Sequence, residues 1–188
     1  MPRSHIGHGD TAALPVRGLG LTLPELLISL SVTSIMTFTA LIYLPPLIQS
    51  NRMSGEVNRF VTSLQLARSE AVKSGRRLVL CPQTKQHLCG RAADWENGWL
   101  LFASEDREWQ TDEPLILKAP PMAGFIEMRS GNHRKRIVYQ PDGSSGGTNS
   151  SFTFCDRRGL TRPRVICLSN SGRPRTTFTQ CDGKPVEC

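Results

Sequence analysis

Nineteen consecutive residues, Leu26 to Leu44, carry no formal charge, and no cysteine precedes Cys81. The first absence excludes a solvated surface helix. At about 1.5 Å per residue, a helix of that length just spans a hydrocarbon core of roughly 30 Å. The second places all six cysteines, Cys81, Cys89, Cys155, Cys167, Cys181 and Cys188, beyond the apolar run. That even count, confined to one side, fits an oxidising compartment and a disulfide framework. No CxxC pair occurs, which argues against zinc and dithiol redox sites. No small-x-small cleavage site lies in Ile42 to Ser54, as an ordinary secretory signal would require. Signs of catalysis are equally absent. Ser144 and Ser145 sit in a Gly-rich loop without a nucleophile elbow. Gly146-Gly147 lack the lysine and following helix of a phosphate loop. His133 lies among Arg134, Lys135 and Arg136, and His87, alone between two cysteines, does not make a metal site. No enzyme, metal or cofactor is therefore expected.

What is present begins with Gly18 to Leu27, GLGLTLPELL, where one acid, Glu25, stands at the start of the apolar run. A carboxylate there is costly unless something pairs it. Ahead of it Arg3 and Arg17 outnumber Asp10, a basic bias that keeps the N-terminus cytoplasmic and exports the body. Pro24 is tolerable because the first helical turn has unsatisfied N–H groups in any case. The ten residues resemble the processing site of type IV prepilins and pseudopilins. The resemblance implies that a prepilin peptidase removes residues 1–20 by cutting Gly20-Leu21 and that Leu21 is then N-methylated. It further implies that Glu25 pairs with the amino terminus of a neighbouring pilin's Leu21 during assembly. A plain single-pass anchor is the competing reading.

A transmembrane and assembly helix is expected over residues 21–50, with a kink or melted segment at Pro45 and Pro46. Over residues 51–75 Val57, Phe60, Val61, Leu64, Ala67 and Ala71 recur at three- and four-residue steps, an amphipathic continuation that stops near Gly75. Beyond it, residues 76–188 read as a β-rich domain. Candidate strands are Arg76 to Cys81, Gly98 to Ala103, Pro114 to Lys118, Phe125 to Arg129, Arg136 to Gln140, Ser151 to Cys155, Arg164 to Leu168 and Arg175 to Gln180. Short strands with tight connections argue for antiparallel sheets. The fold expected is α+β, a long N-terminal helix packed on a globular domain of antiparallel sheets. Six cysteines allow many pairings; sequence order suggests Cys81-Cys89, Cys155-Cys167 and Cys181-Cys188.

Cys81-Pro82, Cys89 and then Trp95-Glu96-Asn97-Gly98-Trp99-Leu100-Leu101-Phe102 resemble the C...W..GW..F pattern of the GspH/FimT branch of minor pilins and pseudopilins, the FimT members above all. Trp99 and Phe102 are expected as core aromatics, and Gly98 as a turn or close backbone contact.

The charge, +7 overall, is unevenly placed. Residues 81–116 carry seven acids against Lys85, Arg91 and Arg107, a net of −4, whereas residues 155–188 have a net of +4. In the second stretch runs Gly172-Arg173-Pro174-Arg175. It matches the G-R-x-R tail motif that the resemblance associates with DNA binding in FimT proteins of naturally transformable bacteria. If the segment is extended, Arg173 and Arg175 point to one side, about 6.6 Å apart, and guanidinium forks suit phosphate oxygens. Arg157, Arg158, Arg162, Arg164 and Lys184 would extend the patch. Few aromatics accompany them, so contacts would be to the phosphate backbone, with little sequence preference and strong salt dependence. The alternative is a structural minor pilin or pseudopilin, FimU- or GspH-like, serving pilus biogenesis or type II secretion. The basic tail would then be an inter-pilin contact or a solvated face.

Overall fold

The computed structural model of the chain describes residues 20–84, 88–104 and 115–188, and Asn132 by its backbone only. The leader, Lys85, His87 and the acidic run from Glu105 to Glu113 lie outside the described residues. Two compact units are formed, Met1–Ile42 and Tyr43–Cys188.

One helix, α1, covers Leu23–Ser74. In the first unit its side chains are exposed and mostly apolar, and the helix contains an 18-residue window of mean hydropathy 1.9, apolar enough to cross a membrane. Five of the hydroxyls in this stretch turn back on the helix. Ser29, Ser31, Thr33, Thr37 and Thr39 each donate to the carbonyl four residues earlier, at 2.7 to 3.1 Å. The melted segment expected at Pro45 and Pro46 is not found, since both lie inside α1. The two missing donors deprive only the carbonyls of Leu41 and Ile42, and the following turns are held by their packing within the second unit.

That packing is the stripe read from the sequence. Val57, Phe60, Leu64, Ala67 and Ala71 are buried, Val61 is half-buried, and Met53, outside the expected stripe, is buried with them; the helix stops at Gly75, whose φ of 63° is the left-handed value a C-terminal cap needs. Among the described residues eight strands follow: β1 Leu78–Pro82, β2 Trp99–Ala103, β3 Leu117–Lys118, β4 Ile126–Ser130, β5 Ile137–Tyr139, β6 Ser150–Asp156, β7 Arg164–Leu168 and β8 Pro174–Thr177. They make two four-stranded sheets, ordered β3-β2-β1-β5 and β4-β6-β7-β8, with every pairing antiparallel. Each expected strand has a counterpart within a few residues. The last stops at Thr177, short of Gln180, because the chain next turns on Gln180–Lys184 and Cys181 is tied back to Cys167.

Phe60 is the centre of the core. Its ring lies 4.9 to 6.1 Å from those of Trp95, Trp99, Phe152 and Phe154, joining the helix to both sheets. Edge and tilted contacts of this kind add to the area the rings bury. The indole N–H groups are also satisfied, Trp95 donating to the Arg134 carbonyl and Trp99 to the Ser63 hydroxyl. Gly98, at φ 93°, passes so near the Ala119 carbonyl that a Cβ would stand 2.3 Å from it, so no other residue fits between the two tryptophans' turns.

Candidate functional site

The basic residues of the second half divide between opposite ends of β7. In the β6–β7 register Phe154 faces Arg164 and Ser150 faces Leu168. The loop 157–163 therefore leaves one end of the strand and the turn 169–173 the other. The helix fixes their separation: Gln49 hydrogen-bonds Asp156 beside the loop, while Arg68 donates to Gly143 beside the turn. Nineteen helical residues between these anchors correspond to about 28 Å. The single patch suggested by the sequence is thus two.

At the turn, Gly172 has φ 75°, and a Cβ there would lie 2.1 Å from the Gly143 carbonyl oxygen and 2.9 Å from the Tyr139 ring. Its N–H donates to Ser169 and its carbonyl accepts from the Tyr139 hydroxyl. Gly172 is accordingly buried and shapes the turn; its expected place among ligand contacts is corrected by this packing. Burial pushes the Tyr139 phenol well above its usual range, against the pull of Arg68. Ser145 clamps the other side, donating from its hydroxyl to Ser169 and from its N–H to Asn170.

From this clamped turn Arg173 and Arg175 emerge exposed. Pro174 opens β8 opposite Leu168, and Arg175 stands opposite Cys167. Both arginines line one open groove of about 640 Å³, together with Ser150, Ser151, Ser169 and Ser171. Among the described residues no carboxylate pairs with either guanidinium. Cations beside hydroxyl donors favour an anion with several oxygens.

The other members are placed differently. Arg157 pairs with Glu127 at 3.2 Å and Glu96 at 3.5 Å. Arg158 donates to Gln49 at 2.6 Å and covers the Phe125 ring at 4.3 Å. Arg162 is exposed in the loop, and Arg164 stacks on Phe178 at 5.6 Å. Lys184 is held by Asp182 at 2.9 Å; the hydrogen bond lowers the carboxyl and raises the amine.

The disulfides differ from sequence order. Cys81 bonds Cys89, but Cys155 bonds Cys188 and Cys167 bonds Cys181. Cys167 faces Ser151 across the β6–β7 ladder, four residues from Cys155, so the two are about 13 Å apart along the strand and outside disulfide reach. The segment 178–188 instead crosses the outer face of the sheet and is pinned at both ends of it. This arrangement, and the Gln49–Asp156–Arg158 network, had no signal in the sequence, because each joins residues that only the sheet order brings together.

At the other extreme of the chain, Gly20 and Leu21 are exposed ahead of α1, and Glu25 accepts from the Thr22 N–H at 3.4 Å. Among the described residues no group of three His, Cys, Asp or Glu is placed to hold a metal.

The model of a family described as "Type II transport protein GspH" matches residues 56–172, well over half of the chain. The chain belongs to the GspH family. The matched region ends one residue before Arg173. No curated protein matches the GspH-family chain by sequence. Among solved structures, the Pseudomonas aeruginosa PAO1 type IV minor pilin FimU superposes with a TM-score of 0.57 at 19% identity, covering 69% of this chain and 90% of FimU. A second crystal form gives 0.53 at 18%, covering 66% and 91%. The minor pseudopilin EpsH of the Vibrio cholerae type 2 secretion system gives 0.49 at 11%, covering 67% and 96%. This GspH-family member thus has the fold of a type IV minor pilin.

Proposed function

We propose that this minor pilin is incorporated in a type IV pilus and binds extracellular DNA through Arg173 and Arg175, supporting natural transformation. The observation that carries the reading is the groove in which two exposed guanidinium groups, with no described carboxylate partner, stand beside four serines. Such a site takes phosphates whatever the base sequence. Arg164, stacked on Phe178, is the nearest of the other arginines along the same strand pair.

Delivery follows the processing motif. Prepilin peptidase cuts Gly20-Leu21 and releases the leader 1–20, Leu21 is methylated, and the helix holds the subunit in the inner membrane with the domain in the periplasm. In assembly the new amino terminus pairs with Glu25 of a neighbour, relieving a carboxylate otherwise costly in hydrocarbon. Glu25→Ala should abolish incorporation, read by immunoblotting sheared filaments; normal incorporation would contradict this role.

The structural alternative, a FimU- or GspH-like subunit of a pilus or secretion pseudopilus with no nucleic-acid ligand, is favoured by the compensated charges of Arg157 and Lys184. The purified chain in detergent, titrated with duplex DNA at several salt concentrations, separates the two. Arg173→Ala/Arg175→Ala should lower the logarithmic salt slope by about 2, close to one for each phosphate that an arginine no longer neutralises. Unchanged affinity and slope would leave the structural role.

A further inference from the structure

We propose that the end of the domain beside Gln49 is a docking collar for anionic lipid headgroups of the membrane in which the helix is anchored. The second unit begins with exposed apolar side chains on α1, Tyr43, Leu44, Leu47 and Ile48. The next residue, Gln49, is fully buried, donating to Asp156 and accepting from Arg158. Arg52 follows, exposed, with Nη1 3.6 Å from where a Cβ on Gly124 would stand. Beside Gly124, Phe125 is 48% exposed under the Arg158 guanidinium, and its carbonyl accepts from the Arg157 N–H. Asp156 completes the ring, accepting from the N–H groups of Arg158 and Leu160, so the loop carrying Leu160 and Arg162 is fastened to the helix at this level.

The arrangement combines three properties a lipid surface recognises. Arg52, Arg158 and Arg162 have no carboxylate paired with their guanidinium groups among the described residues, and Arg157 beside them is compensated by Glu127 and Glu96. Phe125 and Leu160 offer apolar area next to those cations. The depth also agrees: Arg52 lies four residues, about 6 Å, past Ile48, and the headgroup layer outside the hydrocarbon is about that thick. A basic and aromatic ring at that depth faces phosphates and glycerol esters, where arginine and aromatic side chains are stabilised. Duplex DNA would need the same cations on a surface free of lipid.

The proposal rests on the helix being membrane-anchored, and the experiment keeps the two apart. The full chain is reconstituted in nanodiscs of phosphatidylcholine, with or without about one-third phosphatidylglycerol, and amide exchange is followed over residues 122–125 and 157–163. Anionic discs are expected to slow exchange there. Arg52→Gln/Arg162→Gln, at two exposed positions, should remove most of the slowing, about fivefold for each arginine, without altering exchange in β1 and β2. Equal exchange in both disc types, or full protection retained in the double variant, overturns the collar. Protection by added duplex DNA but not by anionic lipid overturns it in favour of a nucleic-acid surface. A chain that fails to enter discs overturns the anchoring and the collar together.

Discussion

The two ends of β7 carry arginines fewer than twenty residues apart in sequence, yet they are built in different ways. At the Gln49 end Arg157 has two carboxylate partners, and Arg158 is committed to Gln49 and the Phe125 ring. At the other end the backbone is rigidly satisfied through Gly172, Tyr139 and Ser145, while Arg173 and Arg175 remain exposed. One end uses its charged side chains partly to hold the fold, and the other holds the fold with neutral groups and leaves its charges available. A summed net charge over residues 155–188 cannot distinguish these uses; partners and position can.

The segment 178–188 ties the two ends together, and cutting either tie is the strongest way to break the comparison. The Cys155–Cys188 bond closes 33 residues and Cys167–Cys181 closes 14. Cys155→Ala/Cys188→Ala should cost about 4 kcal/mol and Cys167→Ala/Cys181→Ala about 3 kcal/mol on the chain-entropy account. Denaturant titration of each double variant checks the order, and equal or reversed losses would count against the entropic difference.

Next in size are changes that unfasten one end alone. Gly172→Ala places a methyl against the Gly143 carbonyl at a positive φ and should cost about 3 kcal/mol. Asp156→Ala strips the acceptor from Gln49 and from the N–H groups of Arg158 and Leu160 and should cost about 2 kcal/mol. Amide exchange is expected to rise over 169–173 in the first variant and over 157–163 in the second. Exchange rising at both ends in either variant would show that they are not independent.

The smallest effect is a pH dependence confined to the Gly172 end. The Tyr139 phenol is raised in the folded state by burial, so the folded protein retains a proton that the unfolded chain gives up near pH 10. Its contribution is complete below that pH and is lost as pH climbs above about 10. Tyr139→Phe should flatten the decline in stability on that limb, measured by denaturant titration at stepped pH. An unchanged alkaline limb would assign the decline to other groups.

The helical stripe from Val57 to Ala71, its stop at Gly75 and all eight strands were legible because they depend on local periodicity and turn chemistry. The burial of Trp99 also followed from its residue type. Cys155 and Cys188 were not legible as a pair, because their proximity depends on a tail that recrosses a sheet whose order is β4-β6-β7-β8. The same topology divides Arg157 and Arg158 from Arg173 and Arg175, since a chain that reverses at each strand end alternates neighbours between opposite poles. Gly172 looked like part of a ligand motif because its constraint comes from Gly143, distant in sequence.

The hydroxyl-to-carbonyl bonds of Ser29, Ser31, Thr33, Thr37 and Thr39 have a consequence for a subunit that must change surroundings. Each of these five side chains carries its own acceptor, so exchanging lipid for a neighbouring helix strands none of their donors and requires no new one. Glu25 is the one charged side chain in the segment, and in the assembly proposed above it is the charge whose pairing would discriminate between staying and joining.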